Sequence, residues 1–210
     1  MDSVSGVGVL DKAFAVVGAL EGGPLGLAGL VSATGLSRAT AHRLAVALEA
    51  HAMVARTGDG RFTLGPRLVR AGLVDAARMG MERLRDETGE SVQLYVRRGD
   101  ERLCVASLES PHGLRTIVAV GAVLPLAAGS AGRVLRGDEE ALARGWAQSV
   151  EEREPGVASV SAAVRDAAGA VVAAVSVSGP IGRTTRFPGR RYAAAVVAAA
   201  RAIGHTLSPA

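Results

Sequence analysis

Residues 27 to 50 keep a helical spacing of apolar side chains that breaks once, at Gly35, and restarts at Ser37. Gly35 suits the left-handed turn that ends a helix, and Ser37 suits the cap that begins the next. Two helices joined by so short a Gly-containing turn have the spacing of a helix-turn-helix. An earlier helix is predicted over residues 7–20, where Leu10, Ala13, Phe14, Val17 and Leu20 recur before Gly22-Gly23-Pro24 stops the run. The segment after the third helix sharpens the reading. Residues 53–56 and 61–64 are strand-like around Gly58-Asp59-Gly60, and Asp-Gly signals a two-residue hairpin. Three helices and then a hairpin make a winged helix.

On the third helix, at about 100° per residue, Ala41, Leu44, Ala45 and Leu48 share one face and are predicted to pack inward. Ala39, His42, Arg43 and Val46 fall opposite, with Arg38 and Thr40 on the flanks. A small, basic face is what insertion into a DNA groove needs. An arginine fork can bond guanine O6 and N7, and an alanine methyl can touch a thymine methyl. Ser37 and Thr40 would anchor phosphates through their hydroxyls and the positive helix end. Arg61, on the wing, would meet the flanking minor groove or backbone. The plainer alternative is that Arg38, His42, Arg43 and Arg61 only solvate a surface.

The pattern changes character after Gly65. Residues 66–88 read as a helix ending at Gly89, a link between domains and a place for a dimer contact. Strands are predicted at 91–97, 101–109 and 115–120, then a small-residue stretch at 127–132 and a helical, charged segment. A strand pair at 157–165 and 170–178 and a closing helix at 190–207 complete the chain. This order implies an α+β fold with a largely antiparallel sheet in the second half. The domains are therefore set at 1–65 (winged helix-turn-helix), 66–89 (linker helix) and 90–210.

Composition narrows the function. No stretch approaches the roughly 18 uncharged residues of a membrane span, and the acidic, small start (Met1, Asp2, Ser3) is unlike a signal peptide. A cytoplasmic protein is expected. Cys104 is the only cysteine, which excludes an internal disulfide and a multi-cysteine zinc site. His42, His51, His112 and His205 lack metal-ligand spacing, so no metal and no cofactor is expected. The net charge of +4 is no guide, because residues 1–65 hold five bases and five acids. Only six residues are aromatic and none cluster, whereas single-strand binders stack bases on flat side chains. Duplex DNA is the expected nucleic acid.

Gly129-Ser130-Ala131-Gly132 precedes a short apolar helix, and free backbone N–H groups at a helix start favour an anion such as a ligand carboxylate. The same stretch loosely mimics a nucleophile elbow, with Asp166 and His205 following in hydrolase order. Its first glycine is missing and no parallel-sheet pattern precedes it, so no catalytic residue is assigned.

The residues Gly6-Val7-Gly8-Val9-Leu10-Asp11-Lys12-Ala13 and Gly35-Leu36-Ser37-Arg38-Ala39-Thr40-Ala41-His42-Arg43-Leu44 resemble the IclR family of bacterial regulators. Gly60-Arg61-Phe62-Thr63-Leu64-Gly65 fits the same family's wing. Arg144-Gly145-Trp146-Ala147, Glu154-Pro155-Gly156-Val157 and Val175-Ser176-Val177-Ser178-Gly179-Pro180 resemble its effector domain. The wording is similar to the NdgR-like actinomycete branch, tied to amino-acid and leucine biosynthesis. The resemblance implies a GAF-like effector domain, a homodimer or homotetramer, and pseudo-palindromic operators bound in the nucleoid. It also implies an effector pocket in which Ser159, Ser176 and Ser178 join Gly129, Ser130, Ala131 and Gly132, with Leu124, Leu126 and Val157 as walls. The regions around 72–78 and 137–144 look shorter than the family pattern. A C-terminal half that only oligomerises, without a ligand, stays open as an alternative.

Overall fold

Gly35 takes the left-handed conformation at φ +67°, its N–H returning to Val31, and so ends one helix where the next must begin. The computed structural model describes residues 5–207; the first four residues of the acidic start lie outside them. Two compact units divide between Gly72 and Leu73.

The first unit carries α1 (Gly8–Ala19), α2 (Leu27–Thr34), α3 (Arg38–Ala50), β1 (Val54–Arg56) and β2 (Phe62–Leu64). Its core joins Val16, Leu20 and Leu30 to Ala41 and Ala45 of α3 and to Val54 and Phe62 of the hairpin. Leu25 exchanges both backbone hydrogen bonds with Phe62 and so ties the hairpin to the chain ahead of α2. The hairpin differs from the two-residue turn expected of Asp-Gly. Arg56 pairs with Phe62 and Thr57 N–H bonds Arg61 O, leaving a three-residue loop, Gly58-Asp59-Gly60, closed by Gly60 at φ +80°. The Thr57 hydroxyl bridges the wider loop: it accepts from the Arg61 N–H and donates to the Asp59 carboxylate.

Helix α4 (Pro66–Thr88) crosses the boundary between units without a break. Its second half buries Leu73, Ala77, Met81 and Leu84, spaced at three and four residues, in the core of the second unit. That unit is a six-stranded sheet in the order β5-β4-β3-β8-β7-β6, every pair antiparallel. The strands are β3 (Ser91–Arg98), β4 (Glu101–Leu108), β5 (Val123–Pro125), β6 (Ala147–Val150), β7 (Val157–Arg165) and β8 (Val171–Pro180). One face, with Val92, Leu94, Val160, Val175 and Val177, packs on α4 and on α8 (Pro188–Leu207). The opposite face, with Tyr95, Cys104 and Ala174, packs on α5 (Ser130–Leu135) and α6 (Glu139–Arg144). A four-residue helix, α7 (Ile181–Thr184), leads from β8 towards α8.

In the second unit the structure corrects the sequence expectation for two strands. Residues 115–120 form no strand: Ile117 and Val120 are exposed, and the Thr116 carbonyl is taken by the Ser91 hydroxyl. The edge strand comes after Gly121, at φ +90°, as the three residues of β5 facing Glu101–Leu103. The charged segment before residue 150 also ends in a strand, β6, which Gly145 at φ +85° separates from α6.

Candidate functional site

The α3 surface divides as its periodicity dictates. Ala41 and Ala45 are fully buried and Leu44 and Leu48 half-buried, while Arg38, Ala39, His42, Arg43 and Val46 face outward. Ser37 caps the helix, its Oγ accepting from Thr40 N–H at 3.3 Å and donating to Thr40 Oγ1 at 2.9 Å. The side chains of Arg38, His42 and Arg43 make no hydrogen bond or ion pair among the described residues. Arg61 is different: its Nε lies 2.7 Å from Asp59 Oδ2 within the loop. Thr57 and Arg61 together hold the exposed Asp59 carboxyl below the usual carboxylate range, Thr57 contributing most. Arg56, which the sequence did not single out, pairs with Glu49 at 3.2 Å and stacks on Phe62.

In the second unit, strand register builds a polar floor. Ser149, Ser159, Ser178 and Ser91 stand in one row across β6, β7, β8 and β3, and Ser161, Ser176 and Gln93 in the next. Ser130, the first residue of α5, lies 2.7 Å from Ser159 Oγ and 2.8 Å from Ser161 Oγ. Ser161 donates to Ser176 at 2.9 Å, Ser149 meets Ser159 at 2.9 Å, and Ser178 donates to Gln93 Oε1 at 2.8 Å. Of these groups Gln93, Ser130, Ser149, Ser159, Ser176 and Ser178 border a cavity of about 30 Å³. Gly129, Ser130, Ala131, Val157, Ser159, Ser176 and Ser178 all line it.

Leu124, Leu126 and Gly132 stand outside that lining. Leu126 is buried among Tyr95, Cys104 and Val134, and Leu124 packs against the same cluster. Gly132 sits so close to the Leu126 carbonyl that a Cβ would come within 2.2 Å of the oxygen. Sequence reasoning missed Gln93, Tyr95, Arg102, Ser149 and the acidic loop Glu152-Arg153-Glu154, all in the lining. Of these, Ser149 and Gln93 were signalled only by register, which a single sequence does not show.

The loop closes the cavity. Glu152 Oε2 accepts from Gly129 N–H at 2.9 Å, and Oε1 accepts from Arg133 Nη2 at 2.6 Å. The position expected for a ligand carboxylate, at Gly129, is thus bonded by a carboxylate of the chain itself. Burial raises the Tyr95 hydroxyl to about 12 and the Cys104 thiol to about 11, so both stay protonated near neutrality. The hydrolase alternative loses its geometry: Asp166 and His205 line a different cavity, of about 570 Å³, between α6 and α8, whereas Ser130 faces serines.

The chain is similar in sequence and fold to known proteins. The family profile described as the bacterial transcriptional regulator IclR C-terminal domain matches residues 66–140 and 138–205, and that of the IclR helix-turn-helix domain matches residues 9–58. The chain belongs to the IclR family of bacterial transcriptional regulators. The glycerol operon regulatory protein of Streptomyces griseus is 32% identical over 216 aligned residues, covering 83% of this chain and 85% of that protein. The regulator BhcR of Paracoccus denitrificans is 28% identical over 97% of this chain and 88% of its own. Among solved structures, an IclR-family regulator from a Rhodococcus species aligns over 99% of this chain and 98% of that one, with a TM-score of 0.65 and 28% identity. The Thermotoga maritima IclR shares the fold at a TM-score of 0.58 and 23% identity, over 95% of this chain and 98% of its own.

The alignments mark two features of this IclR-family chain. The Streptomyces griseus alignment is longer than the 210-residue chain it partly covers, so gaps open on this side. The C-terminal profile match also breaks at 138–140, where Asp138 caps α6 by accepting from Ala141 N–H at 3.0 Å. No helix among the described residues is long and apolar enough to cross a membrane.

Proposed function

We propose that α3 reads the major groove of duplex DNA through Arg38, Ala39, His42 and Arg43, with Ser37 and Thr40 on phosphates and Arg61 on the flanking backbone. The observation that carries this is the set of outward side chains on α3 with no partner among the described residues, backed by a buried alanine face that fixes their direction. Two copies of the chain, as a homodimer or within a homotetramer, would place two such helices on the half-sites of a pseudo-palindromic operator. The protein acts in the cytoplasm and joins the nucleoid when DNA-bound.

The second unit is the sensor, and the serine-floored cavity is its effector site. A floor of hydroxyls and a buried amide suits a small, oxygen-rich acid better than a branched apolar side chain. This moves the proposal away from leucine-type amino-acid control and towards small hydroxylated metabolites, the direction in which the names of the Streptomyces relatives also point. One observation favours the rival, assembly-only reading: as closed by Glu152, the cavity has room for about one water.

Footprinting on the organism's promoter fragments, with and without hydroxy-acids, oxo-acids and branched-chain amino acids, tests both parts. Protected pseudo-palindromic sites that shift with an acid are expected. Protection that no metabolite alters would favour the assembly-only reading, and no protected site at all would remove the DNA-reading role of α3.

A further inference from the structure

The serine cavity borders a buried charge that lacks a hydrogen-bonded counter-ion. Arg102 is 3% exposed, and its Nη1 donates to the carbonyls of Pro125, at 2.5 Å, and Ala128. The other edge of the guanidinium is unused. Nε is buried without a hydrogen-bond partner, and no described residue bonds Nε or Nη2. Elsewhere in the same unit Arg183 shows what this edge does beside a carboxylate: its Nε and Nη2 grip the two oxygens of Glu90 at 2.6 and 2.9 Å. Burial penalises the guanidinium charge, and the Glu152 carboxylate offsets it only through space, with no hydrogen bond to it. Glu152 stands in the same lining but is committed to Gly129 and Arg133.

A second unpartnered group borders the same cavity. Gln93 is 1% exposed; its Oε1 accepts from Ser178, and its Nε2 has no partner. Both groups left over in the lining are donors. The molecule that satisfies them is built of acceptors, and one of those acceptors is charged.

We infer that Arg102 anchors the effector, its Nε–Nη2 edge taking an oxyanion side-on while Gln93 Nε2 donates to a second oxygen of the same molecule. The inference rests on the effector-cavity reading above and names the ligand class for it: a small acid carrying a hydroxyl or carbonyl oxygen. The paired geometry of the edge matches a carboxylate, and a phosphate offers the same oxyanion chemistry. Entry requires the Glu152 loop to lift, since the closed cavity of about 30 Å³ holds no such molecule.

The test is thermal denaturation of the full chain at constant ionic strength, titrated separately with glycerate, acetate, inorganic phosphate and glycerol. Glycerate should stabilise the wild type with a half-saturation at least tenfold below that of acetate, and neutral glycerol should give no shift. Arg102→Lys keeps the charge but loses the fork, and should weaken glycerate at least tenfold. Gln93→Glu keeps the acceptor for Ser178 but replaces the free donor with a carboxylate, and should abolish the glycerate shift. Should Arg102→Lys fail to fold by circular dichroism, Gln93→Glu decides alone. Stabilisation by phosphate in place of glycerate, lost in the same variants, supports the anchor and assigns the anion to a phosphate. Equal glycerate responses in wild type and variants, or a response to glycerol but no anion, overturn the anchor and leave the cavity reading standing. No response to any probe removes both.

Discussion

Replacing Arg43 with alanine isolates the reading of DNA from the stability of the protein that reads it. Arg43 is exposed and its side chain makes no bond among the described residues, and alanine is the better helix former. The variant should therefore unfold within about 0.5 kcal/mol of the wild type. On DNA, removing a bidentate bond to guanine costs about 1 to 3 kcal/mol, or roughly 5- to 150-fold in Kd, for each half-site. A two-half-site complex loses about twice that free energy. Arg61 gives the internal contrast. Before it meets a phosphate it must leave Asp59, 2.7 Å away, a surface pair worth about 0 to 1 kcal/mol. Arg61→Ala should thus cost less than Arg43→Ala, act alike on specific and random duplexes, and reduce the salt slope by about 0.9 for each phosphate it no longer neutralises. Fluorescence anisotropy on a footprinted fragment and a shuffled duplex, each across a salt series, measures all three quantities. Unchanged affinity of Arg43→Ala for the footprinted fragment, or equal losses on both duplexes, would refute base reading by Arg43.

The packing of the second unit supports three further perturbations. In Gly132→Ala the new methyl would lie 2.2 Å from the Leu126 carbonyl and 2.9 Å from Arg102 Nη1, so a loss of about 1 to 3 kcal/mol is expected; an unchanged urea midpoint would show that α5 can slide. Arg183→Met strands Glu90, whose side chain is 2% exposed, beside Gly179, and should destabilise by up to about 3 kcal/mol, discounted for the partial exposure of Arg183. Burial raises Tyr95 from 10.0 to about 12, so its neutral form is favoured in the fold. That contribution, about 3 kcal/mol, is complete below pH 10 and is lost as pH rises towards about 12. Cys104 behaves in the same sense from 9.0 to about 11. Urea midpoints in a Cys104→Ala background should fall more steeply above pH 10 with Tyr95 than with Tyr95→Phe, the residual fall belonging to Tyr192, whose hydroxyl is also raised by burial; parallel curves would exclude Tyr95 as a source.

Legibility in the sequence followed the range of the forces involved. Helix α3 was readable to its cap because Gly35, Ser37 and the Ala41-Ala45 stripe are local signals, each acting within one or two turns. The wing was readable as a hairpin, but its loop length was not, because the Thr57 hydroxyl bridges the loop through bonds to Arg61 and Asp59. In the second unit Ser159, Ser176 and Ser178 were named only through the family resemblance. Ser149, Ser161 and Gln93 join them only through register across four strands, and register is a non-local property. Arg102 was invisible for the same reason. A charged residue near a strand end reads as solvated until the carbonyls of Pro125 and Ala128 fold over it. Residues 115–120 misled because a β-branched run looks like a strand whether or not an edge is free to pair with it.

The architecture also limits how an effector can act. Alternate residues of β3 serve opposite layers: Gln93 faces the serine cavity, while Val92 and Leu94 join the core that holds Leu73, Ala77, Met81 and Leu84 of α4. The same alternation recurs on β8, with Ser176 and Ser178 on the cavity side and Val175 and Val177 on the helix side. A molecule that pulls on Gln93 and Ser178 therefore acts on strands whose other face carries α4, and α4 continues without a break to Pro66 at the wing's exit. Tight binding alone changes nothing. An equilibrium between two arrangements moves only by the difference in the ligand's affinity for them, so a ligand bound equally well with Glu152 closed or lifted would occupy the cavity and leave DNA affinity where it was. The sensitivity of such a regulator is accordingly set as much by the two hydrogen bonds of Glu152 as by the contacts the effector makes in their place.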